Sequence, residues 1–166
     1  MNDDNTYKIL FVCTGNTCRS PMAQGALQML LEKERPGKAV VISAGTAGAS
    51  GYPATEYAVE ASKIWDVDIS GHQSQPLTPI LVDEADLILT MAPEHMQTVL
   101  QISPKAEGKV FLLKNFPLPT SHGEAVEDPI GQPLDLYNET FLEIGELLGK
   151  HLPEIVQRVD EKTNAE

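Results

Sequence analysis

Tyr7-Lys8-Ile9-Leu10-Phe11-Val12-Cys13-Thr14-Gly15-Asn16-Thr17-Cys18-Arg19-Ser20-Pro21 is the stretch on which the reading of this chain turns. Its first six residues are short, apolar and partly β-branched, the pattern of a buried parallel strand. Ser20-Pro21 then opens a helix, with Ser20 as N-cap and Pro21 at the first helical position. Met22, Ala23, Ala26, Leu27, Leu30 and Leu31 give that helix an apolar face at helical spacing, and Arg35-Pro36-Gly37 ends it. Between strand and helix lies a loop, Cys13 to Arg19. A strand–loop–helix turn of this length can aim successive backbone N–H groups inward as an anion nest.

The residues of that loop suit a particular chemistry. The helix N-terminus adds about +0.5 charge. Gly15 supplies the backbone freedom of a tight turn. Arg19 offers a planar fork able to hold two phosphate oxygens. The same field stabilises a thiolate, so Cys13 is expected to fall from the ordinary thiol value of about 8.5 into the range of roughly 3.5–7.5. Two blander readings compete. One is a buried structural cysteine with Arg19 in a surface ion pair. The other is a zinc site, but Cys13 and Cys18 lack the second ligand pair that a closed tetrahedral site needs.

Further along the chain, Val40-Val41-Ile42 reads as a second strand, leaving through Ser43-Ala44-Gly45-Thr46. Ala54 to Trp65 reads as a helix, Leu87 to Met91 as a strand, Pro93 to Leu100 as a helix and Val110 to Leu113 as a short strand. Asn115 to Gln132 is rich in Pro, Gly and His and reads as a long loop, a feature often functional inside compact domains. The last helix is expected over Leu134 to His151, with the stripe Tyr137, Phe141, Ile144, Leu148, and with Pro153 kinking or restarting it. Strands alternating with helices imply a parallel sheet covered on both faces, whose ligands sit at the carboxyl ends of the strands. Cys13 stands at such an end.

No repeat or linker divides the chain, so one domain is expected over 1–166, with a core of about 7–152 and flexible termini. The net charge of −12, from 24 acidic and 12 basic side chains, argues against nucleic acid and anionic membrane surfaces. Met1 to Thr6 is acidic and polar, unlike a signal peptide, and the longest apolar runs are too short to span a bilayer. Two cysteines are too few for a disulfide scaffold and suit a reducing cytoplasm.

At Val12 to Pro21 the chain resembles the low-molecular-weight protein tyrosine phosphatase family. The likeness continues through Ser43-Ala44-Gly45-Thr46, Ile69-Ser70-Gly71-His72-Gln73-Ser74, Asp86-Leu87-Ile88-Leu89-Thr90-Met91 and Glu127-Asp128-Pro129, in the family's order. It implies an α/β three-layer sandwich, with a four-stranded parallel sheet in the order 2-1-3-4 flanked by helices on both faces. It implies Cys13 as nucleophile, Arg19 as phosphate-binding arginine and Asp128 as general acid, then general base. Ser20 would hydrogen-bond the thiolate. Thr14, Gly15, Asn16, Thr17, Cys18 and Arg19 would wrap the phosphate, while Asn16, Ser43 and His72 support the loop. No cofactor or metal is needed, because hydrogen bonds and Arg19 stabilise the equatorial oxygens. The expected partners are a phosphorylated protein as substrate and inorganic phosphate as product. No nucleic acid and no membrane insertion are expected, and the chain is expected to be a monomer.

Substrate choice rests on the mouth of the loop. Phosphotyrosine members commonly carry an aliphatic residue where this chain has Thr17. The phosphoarginine-specific members resemble it more closely there, and also at Ser121-His122-Gly123 and Asp128-Pro129-Ile130-Gly131. Ile130 departs from both, since that position is usually aromatic to stack on a phenol or guanidinium. Tyr137 could substitute, although helix packing is its simpler role. A thiol-dependent arsenate reductase shares the fold but needs further cysteines outside the loop. A non-catalytic phosphopeptide-binding module would lack the nucleophile or the acid. His95 and His151 fall in no motif and are expected on the exposed surface.

Overall fold

β1 (Tyr7–Cys13) is the hub of the sheet. In the computed structural model, which describes residues 5–164, it pairs in parallel with β2 (Ala39–Gly45) on one side and β3 (Leu87–Thr90) on the other. β3 pairs in parallel with β4 (Val110–Leu112), which completes the order β2-β1-β3-β4. The chain leaves β1 toward one edge and returns to its other side. The crevice at the carboxyl end of β1 is therefore the topological switch point. Cys13 is the last residue of that strand.

Strand alternation sorts the side chains into two layers of core. Ile9 and Phe11 of β1, with Leu87 and Leu89 of β3, face α1 (Arg19–Glu34), α2 (Glu56–Ser62) and α5 (Leu134–Thr163) through Met22, Leu27, Ala58, Phe141 and Ile144. Leu10, Val12 and Ile88 face α3 (Pro79–Glu84) and α4 (Pro93–Ile102) through Val82, Met96 and Val99. Ile9, Leu10 and Phe11 are all fully buried, and truncating any of them to alanine costs about 2–5 kcal/mol. The carboxyl end of β1 is thus anchored from both faces.

Several elements differ from the expectation. α1 begins at Arg19, with Cys18 in the cap position and no side-chain cap bond. Ser20 is not the N-cap, because its hydroxyl is turned to the Cys13 sulfur. The helix expected over Ala54 to Trp65 shortens to α2 and a 3₁₀ turn, Lys63–Trp65. α3 was not foreseen; it is capped by Thr78, whose Oγ1 accepts from Leu81 N at 3.3 Å. α5 runs unbroken through Pro153, and Ile155 and Val159 beyond it join the core. The missing N–H is outweighed by packing on both sides of it and by the Arg35–Asp160 pair, whose bonds measure 2.7 and 2.9 Å. Gly145 lets α5 lie against Trp65, where a Cβ would come within 2.5 Å of the indole. Residues 1–4 and 165–166, on which part of the expected flexibility of the termini falls, lie outside the described residues.

Candidate active site

The loop after β1 is held by its backbone first. Thr46 N donates to Cys13 O, Ala47 N to Thr14 O and Thr55 N to Thr17 O, each at 2.9 Å. Gly45 at the end of β2 permits that closeness, since a Cβ there would sit 2.5 Å from Thr14 O. The residue of the loop in left-handed conformation is Asn16, with φ of 59°, rather than Gly15. Such a φ costs an ordinary residue roughly 1–2 kcal/mol, and asparagine tolerates it best. Four hydrogen bonds pin it there. Asn16 Nδ2 donates to Ser20 Oγ (2.8 Å) and Ser43 Oγ (2.9 Å), Gln75 N donates to Asn16 Oδ1 (2.9 Å), and His72 Nε2 donates to Asn16 O (2.7 Å).

That network settles the direction of the bond to sulfur. Ser20 Oγ accepts from Asn16, which frees its own proton for Cys13 Sγ at 2.8 Å. Asn16 N donates to the same sulfur at 3.3 Å. Ser43 Oγ, also an acceptor from Asn16, donates onward to Gln24 Oε1. Burial pushes the Cys13 thiol up, against the downward pulls of the Ser20 hydroxyl and amide, Arg19 and the Asn16 amide. The expected fall of its pKa is therefore not realised in this arrangement. Desolvation of a charge inside the loop outweighs the local donors, although the positive end of α1 acts on their side.

Arg19, buried at 6% exposure, sits beside this sulfur. Its Nη1 donates to Val126 O at 2.8 Å, and its Nη2 lies 3.5 Å from Asp128 Oδ2. Asp128 is thereby suspended over the loop from the long segment that follows β4. Its own Oδ1 accepts from Ile130 N at 3.1 Å, an Asx turn that closes the tip. Cys13, Gly15, Thr17, Cys18, Arg19, Asp128 and Ile130 line one small cavity of about 20 Å³. Two larger grooves, of about 470 and 490 Å³, lie between α1 and residues 66–72 and along α5 from Asp128. Volume does not single out the chemistry here; the convergence of sulfur, guanidinium and carboxylate does.

The residues singled out from sequence thus meet at one place, with distinct stations. Thr14 and Gly15 are exposed on the rim. Ile130, at 55% exposure, lines the mouth. Cys18 is buried behind the loop, 3.5 Å from Tyr137 Oη and 3.4 Å from Thr55 Oγ1. Tyr137, at 3% exposure, is held there edge-on to Tyr57 and does not stand at the mouth. Among the described residues, no three His, Cys, Asp or Glu side chains gather as a metal ion would require. No helix among them is long and apolar enough to cross a membrane.

His95 and His151 are buried, not exposed. His95 Nε2 meets Thr14 Oγ1 at 2.9 Å, and His151 Nε2 meets Leu113 O at 2.7 Å at the root of the long loop. His151 thereby satisfies the carbonyl of the buried Leu113, and His95 reaches outward from the core to the exposed Thr14. Gln24, Gln75, Thr55 and the Val126 carbonyl also serve the site, and nothing in their local sequence marked them.

Comparison with known proteins agrees with this geometry. Residues 8–165 match the model of the family described as low molecular weight phosphotyrosine protein phosphatase. The chain is similar to a protein-arginine-phosphatase of Bacillus subtilis, 42% identical over 142 residues, covering 84% of this chain and 91% of the relative. It is also similar to a probable low molecular weight protein-tyrosine-phosphatase, EpsP, of Ralstonia nicotianae, 40% identical over 151 residues, 91% of this chain and 94% of that one. Among solved structures, a YwlE arginine phosphatase variant with a phosphorylated active-site serine superposes with a TM-score of 0.83 at 36% identity. That match covers 92% of this chain and 99% of the other. With the sheet order, the loop and these matches in agreement, the chain belongs to the low-molecular-weight protein tyrosine phosphatase family.

Proposed function

We propose that this chain is a metal-independent, cysteine-dependent phosphoprotein phosphatase acting on phosphoarginine side chains. The observation that carries the reaction class is the Cys13 sulfur held by Ser20 and Asn16 next to Arg19, beneath the Asp128 carboxyl. The Cys13 thiolate attacks phosphorus, and the S–P bond forms as the P–N or P–O bond to the substrate breaks. Asp128 gives its proton to the departing nitrogen or oxygen, which speeds departure by roughly 10²–10⁴. Water then attacks the phosphocysteine, Asp128 takes its proton, and the S–P bond breaks. The thiolate leaves into the Ser20 hydrogen bond, and inorganic phosphate is released. Arg19 and the loop donors stabilise the equatorial oxygens throughout.

The substrate residue follows from the mouth. Thr17 offers a hydroxyl that can order water or polar groups beside a guanidinium, where an aliphatic wall would suit a flat phenol. Glu127 and Asp128 favour a cation. Kinship with the arginine phosphatase of Bacillus subtilis supports the same choice. Both cysteines lie in one loop, which does not favour an arsenate-reductase relay. Reduced thiols suit the cytoplasm, where we place the activity, on a monomeric chain. Turnover measured side by side on phosphoarginine and phosphotyrosine peptides tests the reading. A higher kcat/KM on phosphoarginine is expected, and Thr17→Ile should shift preference toward phosphotyrosine several-fold. Preference for phosphotyrosine in the wild type would overturn the substrate, and no turnover of either would overturn the reaction.

A further inference from the structure

Asn16, Ser43, His72 and Gln75 hold the phosphate loop from the β2 side. On the β3 side, an imidazole reaches it. His95 stands in the first turn of α4, 1% exposed, with Nε2 2.9 Å from Thr14 Oγ1. Its Nδ1 is buried without a hydrogen-bond partner among the described residues. A ring placed for packing alone would be better served by phenylalanine, because an unpartnered buried nitrogen is unfavourable. The one side-chain bond that His95 makes goes to the residue following the nucleophile.

We propose that His95 is a positioning residue for the phosphate loop, clamping Thr14, and with it the peptide after Cys13, against α4. The inference rests on the reading of this loop as a phosphate cup. Buried N–H groups are seldom left orphaned, so Nε2 carries the proton and donates to Thr14, while Nδ1 keeps a bare lone pair. Burial, then the charge of Arg19, pushes His95 down to about 4, against the upward pulls of Glu94 and Asp128. The ring is accordingly neutral at neutral pH and adds no second cation to compete with Arg19 for the phosphate. Thr14 O is already tied to Ala47 N. With the side chain also tied, this residue is fixed from the β2 and β3 sides at once, and its amide stays at one angle to the anion.

The test is the affinity for inorganic phosphate, measured calorimetrically, together with kcat and KM on a phosphorylated peptide. His95→Phe keeps the ring and removes the donor. It should weaken phosphate binding about tenfold and raise KM more than it lowers kcat. His95→Gln, which sets an amide nitrogen near the position of Nε2, should recover most of the loss. Thr14→Val cuts the same bond from the exposed end, away from the core. It should reproduce the His95→Phe loss, and the double variant should be no worse than either single one. Unchanged phosphate affinity in Thr14→Val, additive losses in the double variant, or a His95→Gln chain as impaired as His95→Phe would each overturn the inference. If His95→Phe does not fold, Thr14→Val decides. A wild type that binds phosphate but turns over no phosphopeptide would sink the proposed activity instead, since the phosphate affinities are read without turnover.

Discussion

The loop that follows β1 and the loop that carries Asp128 differ in how they are built. In the first, Cys13, Asn16, Cys18, Arg19 and Ser20 are buried, and Cys13, Thr14, Asn16 and Thr17 are each tied to other parts of the chain by backbone or side-chain bonds. In the second, residues 115–132 carry no helix or strand, and most are exposed or half-buried. It is pinned to the body where Val126, fully buried, donates to Met91 O at 2.7 Å and accepts from Arg19 at 2.8 Å. The ion pair of Lys114 with Glu124, at 3.7 Å and largely exposed at Glu124, adds little, and Arg19 reaches Asp128 only at 3.5 Å. Segments with few buried contacts open at small free-energy cost. The half proposed to bind the anion is thus preorganised. The half proposed to handle the proton is anchored in the core at Phe116 and Val126, while Asp128 and Ile130 stay exposed, and it can withdraw for substrate entry and product release.

Substitution at the centre of each half should break this comparison open. Cys13→Ser should abolish turnover, below any detectable rate, while inorganic phosphate still binds, because the donors around it remain. Loss of phosphate binding in that variant would mean that the sulfur, not the cup, holds the anion. Asp128→Asn should leave phosphate affinity nearly intact. It should slow hydrolysis by roughly 10²–10⁴ for poor leaving groups and hardly at all for activated aryl phosphates, which need no acid. Equal slowing of both classes, measured as kcat on the two substrates, would remove Asp128 from proton transfer.

The two halves were also unequally legible. The binding half is local: an apolar strand, a short loop and a helix carry Cys13, Arg19 and Ser20 within eight positions, so spacing brought Cys13 and Arg19 together, and the family resemblance added Ser20. Even there the Ser20-Pro21 signal misled. Serine before proline is a capping pattern, but the hydroxyl was needed by sulfur, and the helix started two residues early without a side-chain cap. The network that supports this loop is non-local. Asn16 to Gln75 spans 59 positions and Thr14 to His95 spans 81, and a lone histidine or glutamine has no period to reveal its partner. α3 escaped because six residues are too few to show a helical stripe. Pro153 misled in the other direction, since packing of Leu148, Ile155 and Val159 overrides what the residue does in isolation.

Ser20 offers the finest test, because it joins the preorganised loop to the ionisation on which the chemistry depends. Burial raises the Cys13 thiol, and the Ser20 hydroxyl bond is the foremost of the pulls that lower it. A hydrogen bond given to sulfur favours the charged form, so Ser20→Ala must raise the thiol further. At a fixed pH on the acid side a smaller fraction is then ionised, and the acid limb of kcat/KM moves to higher pH. A bond to a charged group contributes about 1.5–3 kcal/mol, which corresponds to a loss of at least roughly tenfold at acid pH. At high pH the thiolate is formed with or without Ser20, and kcat/KM should converge on the wild type. What persists there is a slower second step, since the departing thiolate has lost its donor, and phosphocysteine should accumulate in rapid-quench mass spectrometry. A pH profile lowered evenly, with its acid limb unmoved, would mean that Ser20 acts only through Asn16 on the shape of the loop and not on the sulfur.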